Sequence, residues 1–236
     1  IYGFKGLLAA GEEFTVPLSK STGVNFPGAN LIGNSFTAAI PIADGLTLPP
    51  EVSEKTIYLF NTGTRDQWRN LNGEAIQNVA AGQYLAVPVN LAGQNDLPDM
   101  IPSTHAFMVF ADRAAQLTID YHKLVKNKAV KDGAGNEIVT RSATVPAPEN
   151  GSDKKTSAGS RPAIQPLPSV RMDVIGKASA DRLWVFHKPG TSHAFDSGWD
   201  GRKMEESGIA QLYVAASDSS RLQVATVPDM HNVRIG

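Results

Sequence analysis

Two carboxylates in a glycine-containing stretch are the clearest candidates for metal chemistry in this sequence. Asp196 and Asp200 lie within Phe195–Lys203. Calcium takes roughly six to eight oxygen ligands, and carboxylates in a loop can supply several of them. No glutamate closes the stretch as it would in an EF-hand. Two interpretations follow: a calcium site at Asp196 and Asp200, or a turn that Asp196 caps while Asp200 pairs with Arg202 or Lys203.

A tryptophan among charged side chains is the best candidate for a ligand-binding aromatic. Trp68 follows Arg65 and Asp66 and precedes Arg69 in a stretch predicted to be a loop. An indole can stack on a sugar ring while neighbouring polar groups bond to the hydroxyls. These four residues therefore form a predicted site for a host or cell-surface glycan. The alternative is a tryptophan that folds back over the core.

The other chemistry-bearing residues do not form a catalytic set. His187 and His193 flank a Pro-Gly turn, and zinc would need at least one more ligand there. The sequence contains no nucleophile elbow and no glycine-rich phosphate loop. The chain has 0 cysteines, which excludes disulfides, thiolate metal sites and cysteine nucleophiles. We therefore expect no enzymatic activity and no cofactor other than calcium.

The composition limits the partners further. The net charge of −1 argues against nucleic-acid binding, which needs a concentrated basic surface. No apolar run approaches the ~18 residues of a membrane span, so this segment should not insert into a bilayer. Hydrophobic residues make up 42% of the chain, enough for a core. The 21 glycines and 15 prolines separate short apolar runs, which favours strands and turns over helices.

The strands are predicted to be arranged around the stretch Asn30–Ile40. It contains an apolar pair, then Gly33 and Asn34, then an apolar run that begins at Phe36. Glycine and asparagine accept positive φ at little steric cost, so this pattern predicts a glycine-enabled corner between two buried segments. Phe36 is placed to fill the end of a sandwich.

The chain is predicted to be all-β, with two tandem β-sandwich, jelly-roll-like modules. Module one covers 1–126 and module two covers 169–236; a Gly/Ser/Pro/Lys-rich linker with a short hairpin covers 127–168. The sequence begins without methionine and ends at Gly236 in an apparent strand. We therefore expect a piece of a longer polypeptide, with module two truncated and its last strand open to completion by another chain.

Taken in order, these segments resemble a repeated β architecture in large surface and adhesin-like proteins of Bacteroidetes-type bacteria, including type IX secretion cargo. The matching segments are Phe4-Lys5-Gly6, Asn30-Leu31-Ile32-Gly33-Asn34, Ile57 to Asn61, Gly82-Gln83-Tyr84, Phe107-Met108-Val109, Phe195-Asp196 with Asp200 and Lys203, and Gln211-Leu212-Tyr213. Ser35-Phe36 stands where the pattern has Pro-Tyr, which keeps the aromatic ring and loses the rigid turn.

The resemblance implies an exported, extracellular location and no catalysis. The favoured hypothesis is a non-catalytic cell-surface protein that acts in adhesion or as a structural stalk, bound to a host or cell-surface glycan or protein. A second hypothesis is a carbohydrate-binding module of a larger secreted enzyme, based on Trp68. A third is a subunit of a surface assembly that joins other chains through an exposed strand edge.

Overall fold

The computed structural model describes residues 13–24, 26–60, 83–124, 130–131, 137–138, 165–175, 180–205 and 210–236. Within these ranges the regular structure is β, apart from short 3-10 helices at Val89–Leu91 and Tyr121–Lys123. The predicted all-β class is confirmed for this part of the chain. A helix with the length and apolar character of a membrane span does not occur among the described residues.

Strands of the N-terminal part form three antiparallel sheets. The strands are β1 (Glu13–Leu18), β2 (Ala29–Gly33), β3 (Ile40–Pro41), β4 (Leu46–Thr47), β5 (Thr56–Phe60), β6 (Tyr84–Pro88), β7 (Met100–Ile101), β8 (Ala106–Phe110) and β9 (Ala115–Asp120). Their orders are β2-β8-β5-β6, β1-β9-β4 and β3-β7. One hydrophobic core joins these sheets, with Ile57 and Phe107 from the first and Leu117 from the second fully buried.

Strands of the C-terminal part form a five-stranded sheet. The further strands are β10 (Val130–Lys131), β11 (Glu137–Ile138), β12 (Ser169–Ile175), β13 (Ala180–His187), β14 (Gly201–Arg202), β15 (Val214–Ala215) and β16 (Arg221–Val227). The sheet order is β12-β13-β16-β14, with β15 also paired to β16. β13 and β16 run parallel, whereas the other pairs are antiparallel. β10 pairs with β11 within the predicted linker.

The corner that follows β2 is built by an asparagine side chain. Asn34 is 1% exposed, and its Nδ2 donates to the carbonyls of Ala38, Ile101 and Pro102 at 3.0–3.1 Å. Its Oδ1 accepts the backbone N–H of Phe36 at 3.0 Å. This network holds the chain as it leaves β2 and enters the core at Phe36.

The predicted corner is confirmed in place but was wrong in mechanism. Neither Gly33 nor Asn34 is among the described residues with positive φ. A backbone that stays in the ordinary region needs no glycine, because the Asn34 amide supplies the bonds that turn the chain. Phe36 is buried as expected and packs edge-on to Phe14, with the ring centroids 4.9 Å apart.

The end of the chain is paired within the same molecule. Gly236 donates its N–H to the carbonyl of Tyr213 at 3.0 Å and accepts the Tyr213 N–H at 3.1 Å. Ala215 donates to the carbonyl of Arg234 at 2.9 Å. The backbone near Gly236 therefore already has a neighbouring strand on the side of Tyr213. The two-module division and the linker boundaries stay predictions.

We expect Asn34→Ala to lower the free energy of unfolding by about 3 kcal/mol or more, because several backbone groups lose their bonds to the buried Asn34 amide. Urea unfolding followed by tryptophan fluorescence would measure the change. Ser35→Ala, at the exposed neighbouring position, is the matched control and should cost less than about 0.5 kcal/mol. Similar stability losses in the two variants would contradict this role of Asn34.

Candidate functional site

The predicted Asp196–Asp200 site is a loop closed on its own backbone. Oδ2 of Asp200 accepts the N–H of Asp196, and Oδ1 accepts the N–H of Thr226, both at 2.6 Å. Oδ2 of Asp196 accepts the N–H of Ser192 at 2.5 Å. Gly198 has φ of +81°, a conformation that side chains rarely adopt, and it lets the loop turn between the two carboxylates.

The environment of Asp200 differs from that of an ordinary surface carboxylate. The residue is 1% exposed. Burial raises the pKa of Asp200 to about 7, and this effect outweighs the two backbone N–H bonds, which favour the charged form. The nearby Asp196 raises this pKa further. Asp200 is therefore a titratable residue whose carboxylate connects the loop to β16.

Calcium at this loop stays a prediction. Three or more acidic or histidine side chains do not gather into a potential metal site anywhere in the described ranges. Asp196 and Asp200 are instead engaged by backbone N–H donors, as the capped-turn interpretation expects for Asp196. A melting temperature no higher in calcium than in a chelator would exclude the ion.

The pairing predicted for Asp200 was wrong, because both candidate cations have other partners. Arg202 lies beside Glu54, with Nε 3.4 Å from Oε2. Lys203 points inward, and its Nζ lies 2.5 Å from Oδ1 of Asp181. Backbone N–H donors thus hold the two carboxylates of the loop. Arg202 and Lys203 are each held by a carboxylate from a distant segment.

The Lys203–Asp181 pair is the most deeply buried ionic contact that the structure describes. The Lys203 side chain is 1% exposed and that of Asp181 is 0% exposed. Oδ2 of Asp181 also accepts the N–H of Leu212 at 2.6 Å. Burial lowers the pKa of Lys203, and the bond to Asp181 opposes that shift. The pair joins the end of β14 to the start of β13 across the intervening strand β16.

The loop also joins the two parts of the protein. Ser197 Oγ donates to the carbonyl of Ser53, and Thr56 Oγ1 donates to the carbonyl of Asp200 at 2.8 Å. At Gly201, an added Cβ would come within 2.6 Å of the Ala86 Cβ, so only glycine allows this close approach. β14 therefore packs directly against the first part.

A groove of about 590 Å³ opens beside this junction. Glu54 lies at its wall, where Tyr58 donates its hydroxyl to the carboxylate. Burial raises the pKa of Glu54, while the bonds from Tyr58 and Arg202 lower it. The Arg202 guanidinium lies 4.2 Å from the centroid of the Phe195 ring. At this groove, Glu54 and Arg202 therefore bind each other, and the Phe195 ring contacts Arg202.

A second groove of about 320 Å³ lies next to the first and shares Phe26 and Met204 with it. Its lining is mainly apolar and includes Tyr84 and Met108. Gln83 also lines it and is 6% exposed, yet neither Nε2 nor Oε1 has a hydrogen-bond partner among the described residues. A buried amide without a partner is costly, so Gln83 is a point of local instability at this groove.

Two histidines, His193 and His231, line one further cavity. His193 lies at a third cavity, of about 270 Å³, with Nε2 3.6 Å from Oδ2 of Asp229. His231 lines the same cavity, but its backbone N–H, not its ring, bonds to Asp229. His187, on β13, is not part of the cavity lining. The structure therefore does not bring His187 and His193 together at this cavity.

The predicted glycan site lies outside the described residues. This applies to Trp68, Arg65, Asp66 and Arg69. A different tryptophan, Trp184 on β13, lies in the core: it is 1% exposed and donates its indole N–H to the Asn95 carbonyl at 3.0 Å.

Sequence reasoning missed the buried Lys203–Asp181 pair. One signal was present: Asp181, Leu183 and Val185 alternate along β13, which places the carboxylate on the apolar face of a strand. A charge at such a position requires a buried partner. The identity of that partner depends on the order of strands, which local patterns do not contain.

We expect Lys203→Met to lower the free energy of unfolding by about 3–5 kcal/mol, because Asp181 would be left as an unpaired buried charge. Adding Asp181→Asn should recover part of the loss, since it removes that charge. Urea unfolding would measure both variants. Arg113→Ala, which breaks an exposed pair with Glu51, is the control and should cost at most about 1 kcal/mol. A double variant no more stable than the single one would argue against the charge explanation.

Asp200 should make the protein less stable as pH rises toward neutrality. Its folded pKa of about 7 exceeds the ordinary value of 3.8, so the folded state holds the proton more tightly. Between these values the free energy of unfolding falls with rising pH, and above the folded pKa the loss is complete. Asp200→Asn removes this contribution.

Unfolding free energies measured from about pH 5 to about pH 8 would test the expectation. The difference between wild type and Asp200→Asn should change across this window, by an amount on the order of 1 kcal/mol per pH unit at most. Two parallel curves would show that Asp200 does not titrate there.

Comparison with known proteins gives one informative similarity. The chain is 49% identical over 240 residues to "Minor fimbrium subunit Mfa5" of Porphyromonas gingivalis. The match includes 100% of this chain and 18% of the relative, so the chain spans about a fifth of that protein's length. No family model matches the chain, and no solved structure does.

The similarity confirms the sequence-based expectations at a coarse level. The relative is a fimbrial subunit of a Bacteroidetes bacterium, as the resemblance to surface proteins of that group implies. A fimbrium lies outside the cell, so the predicted extracellular, cell-surface location is confirmed. The motif-level resemblance and the link to type IX secretion stay predictions.

Proposed function

We propose that this chain is a non-catalytic structural module of a fimbrial subunit. The observation that carries the proposal is the 49% identity to a fimbrium subunit along 100% of the chain. Because the similarity extends along the whole chain, it concerns the complete module and not one segment of it. The role of the complete polypeptide is part of the proposal, because the chain corresponds to 18% of the relative.

The ionisable groups support a structural role. Asp200 is fixed by two backbone N–H donors, and Lys203 is fixed by Asp181. Glu54 is bonded by Tyr58 and faces Arg202. In each case the charge holds one part of the protein against another. A catalytic acid or base needs instead to reach a substrate proton in an accessible site.

The two adjoining grooves support assembly with other protein chains. Phe26 lines both grooves and is 50% exposed, and the Met108 and Tyr84 side chains line the smaller one. Aromatic and methionine side chains are enriched at the centres of protein interfaces. Adhesion to a host or cell-surface protein would use the same chemistry and belongs to this proposal.

The remaining alternatives have less support. The carbohydrate-binding hypothesis depends on Trp68, which lies outside the described residues, and it stays a prediction. Completion of the last strand by another chain is less favoured, because Gly236 exchanges both of its backbone bonds with Tyr213.

We expect antibodies raised against the 236-residue chain to label filaments on intact cells of the bacterium that encodes it. Immunogold electron microscopy would show the label, and the full-length polypeptide should copurify with sheared fimbriae. A strain with the coding region deleted in frame is the control. Label that appears only after the cells are permeabilised would overturn the proposal.

A further inference from the structure

Strand β12 has one side without a partner in the described part of the chain. It lies at the end of the order β12-β13-β16-β14 and pairs with β13 over all seven residues. Most of the strand is exposed, including Val170 at 50% and Met172 at 37%. A long edge strand is a template for pairing with another chain.

The hydrogen bonds between β12 and β13 show which backbone N–H and C=O groups lie on the outer edge of β12. His187 donates its N–H to the carbonyl of Pro168 at 2.8 Å, one step beyond the Ser169–Phe186 pair. Residues of an antiparallel strand direct their N–H and C=O groups to alternate sides. The even-numbered residues of β12 therefore bond to β13. The backbone groups of the odd-numbered residues face away from it, and these are Ser169, Arg171, Asp173 and Ile175.

The sequence of β12 is complementary to itself when reversed. Val170-Arg171-Met172-Asp173-Val174 reads apolar, cation, apolar, anion, apolar in both directions, with the charge signs exchanged. In an antiparallel pairing centred on Met172, Arg171 of each copy lies opposite Asp173 of the other. Val170 lies opposite Val174. Opposite charges and apolar pairs on facing strands are each stabilising.

We propose that β12 pairs with β12 of a second copy of this chain, antiparallel and centred on Met172. The proposal goes beyond the fimbrial function, because self-pairing requires no other subunit. It forms a continuous sheet through two molecules related by a two-fold axis, so the same surface serves on both sides.

The backbone geometry fits this register. Arg171 of one copy meets Asp173 of the other, and Ser169 meets Ile175, so every residue with outward backbone groups meets another such residue. Each pair can exchange two hydrogen bonds, which uses all the outward N–H and C=O groups of the two strands. Met172 faces Met172 as a non-hydrogen-bonded pair, with an expected Cα separation of about 4.5 Å.

Charges already in place extend across the interface. Within one molecule, Arg182 binds Asp173 through two bonds of 2.6 and 2.8 Å, and Arg171 binds Asp96 at 2.6 Å. Pairing adds Arg171 of the second copy beside Asp173. The charge order Arg182, Asp173, Arg171, Asp96 then alternates from one molecule to the other. The arrangement places no two like charges in succession.

Other registers are opposed by the same residues. A two-residue shift in one direction places Arg171 opposite Arg171, and a shift in the other direction places Asp173 opposite Asp173. Like charges that face each other directly are destabilising. A one-residue shift exchanges the two sheet faces, so the apolar side chains would meet charged ones. The charges of β12 therefore specify one partner alignment.

A single cysteine on the two-fold axis tests the pairing, because the chain has 0 cysteines of its own. Met172→Cys should give a disulfide-linked dimer under mild oxidation, since a Cα separation of about 4.5 Å suits a disulfide. Val170→Cys is the matched control on the same face. Its two copies would lie about 13 Å apart, too far to bridge. Non-reducing gel electrophoresis should show the dimer for Met172→Cys alone; equal cross-linking of both variants, or of neither, would overturn the proposal.

Charge reversal provides an independent test with the 236-residue chain. Arg171→Asp and Asp173→Arg should each place like charges in opposition and weaken self-association by about tenfold or more. An equimolar mixture of the two variants restores opposite charges at both cross-strand pairs, so it should dimerise better than either variant alone. Light scattering after size exclusion measures all four samples, and circular dichroism checks that each is folded. A monomeric wild type, or a mixture that associates no better than its components, would contradict the proposal.

Discussion

The buried contact between Lys203 and Asp181 imposes the strongest constraint on the C-terminal sheet. Removing both charges from water has a large cost, which is offset only when the two groups remain together and their other bonding positions are filled. Asp181 meets this condition through Lys203 and the Leu212 N–H. If β13 and β14 moved apart, Asp181 or Lys203 would be exposed to water or left buried without its partner. The pair makes the strand order specific in a way that apolar packing alone would not.

That constraint extends to the loop before β14 and then to the N-terminal part. With Lys203 anchored, Gly201 lies against Ala86, where a larger residue would not fit. Asp200 reaches the Thr226 N–H of β16, and its own carbonyl accepts Thr56 Oγ1 from β5. Oε1 of the Gln223 side chain accepts the Ala86 N–H at 2.8 Å, a further polar bond between β16 and β6. An apolar cluster also spans the two parts, with Leu91 and Leu97 packed against Trp184, Phe186 and Val224. The polar groups add directional bonds, which set the register of that contact.

Local patterns predicted the strands but not how they meet. The segment Phe107-Met108-Val109, for example, lies within β8, and all three residues are buried. The parallel pairing of β13 with β16 and the Lys203–Asp181 contact join positions far apart in sequence, so local patterns do not identify the partner in either case. At the Asn34 corner, backbone preference suggested positive φ, but side-chain bonding decided the geometry. In Phe195–Lys203, the sequence predicted a turn capped by Asp196 with Asp200 paired to a neighbouring cation, yet Asp200 accepts the backbone N–H groups of Asp196 and of Thr226 on β16.

The same physical logic distinguishes the inner strands from β12. Inside the sheet, a charge at an inward position requires one fixed partner, and Lys203 supplies it for Asp181. At the edge, charged side chains normally protect a strand from indiscriminate pairing, because most approaching strands would leave them opposed or unpaired. Arg171 and Asp173 provide that protection against unrelated strands. An antiparallel copy of β12 is the exception, because it places Arg171 of each strand opposite Asp173 of the other. The charges that repel unrelated strands then attract the copy. A pair of charges on one strand can thus exclude most partners and still admit an identical one.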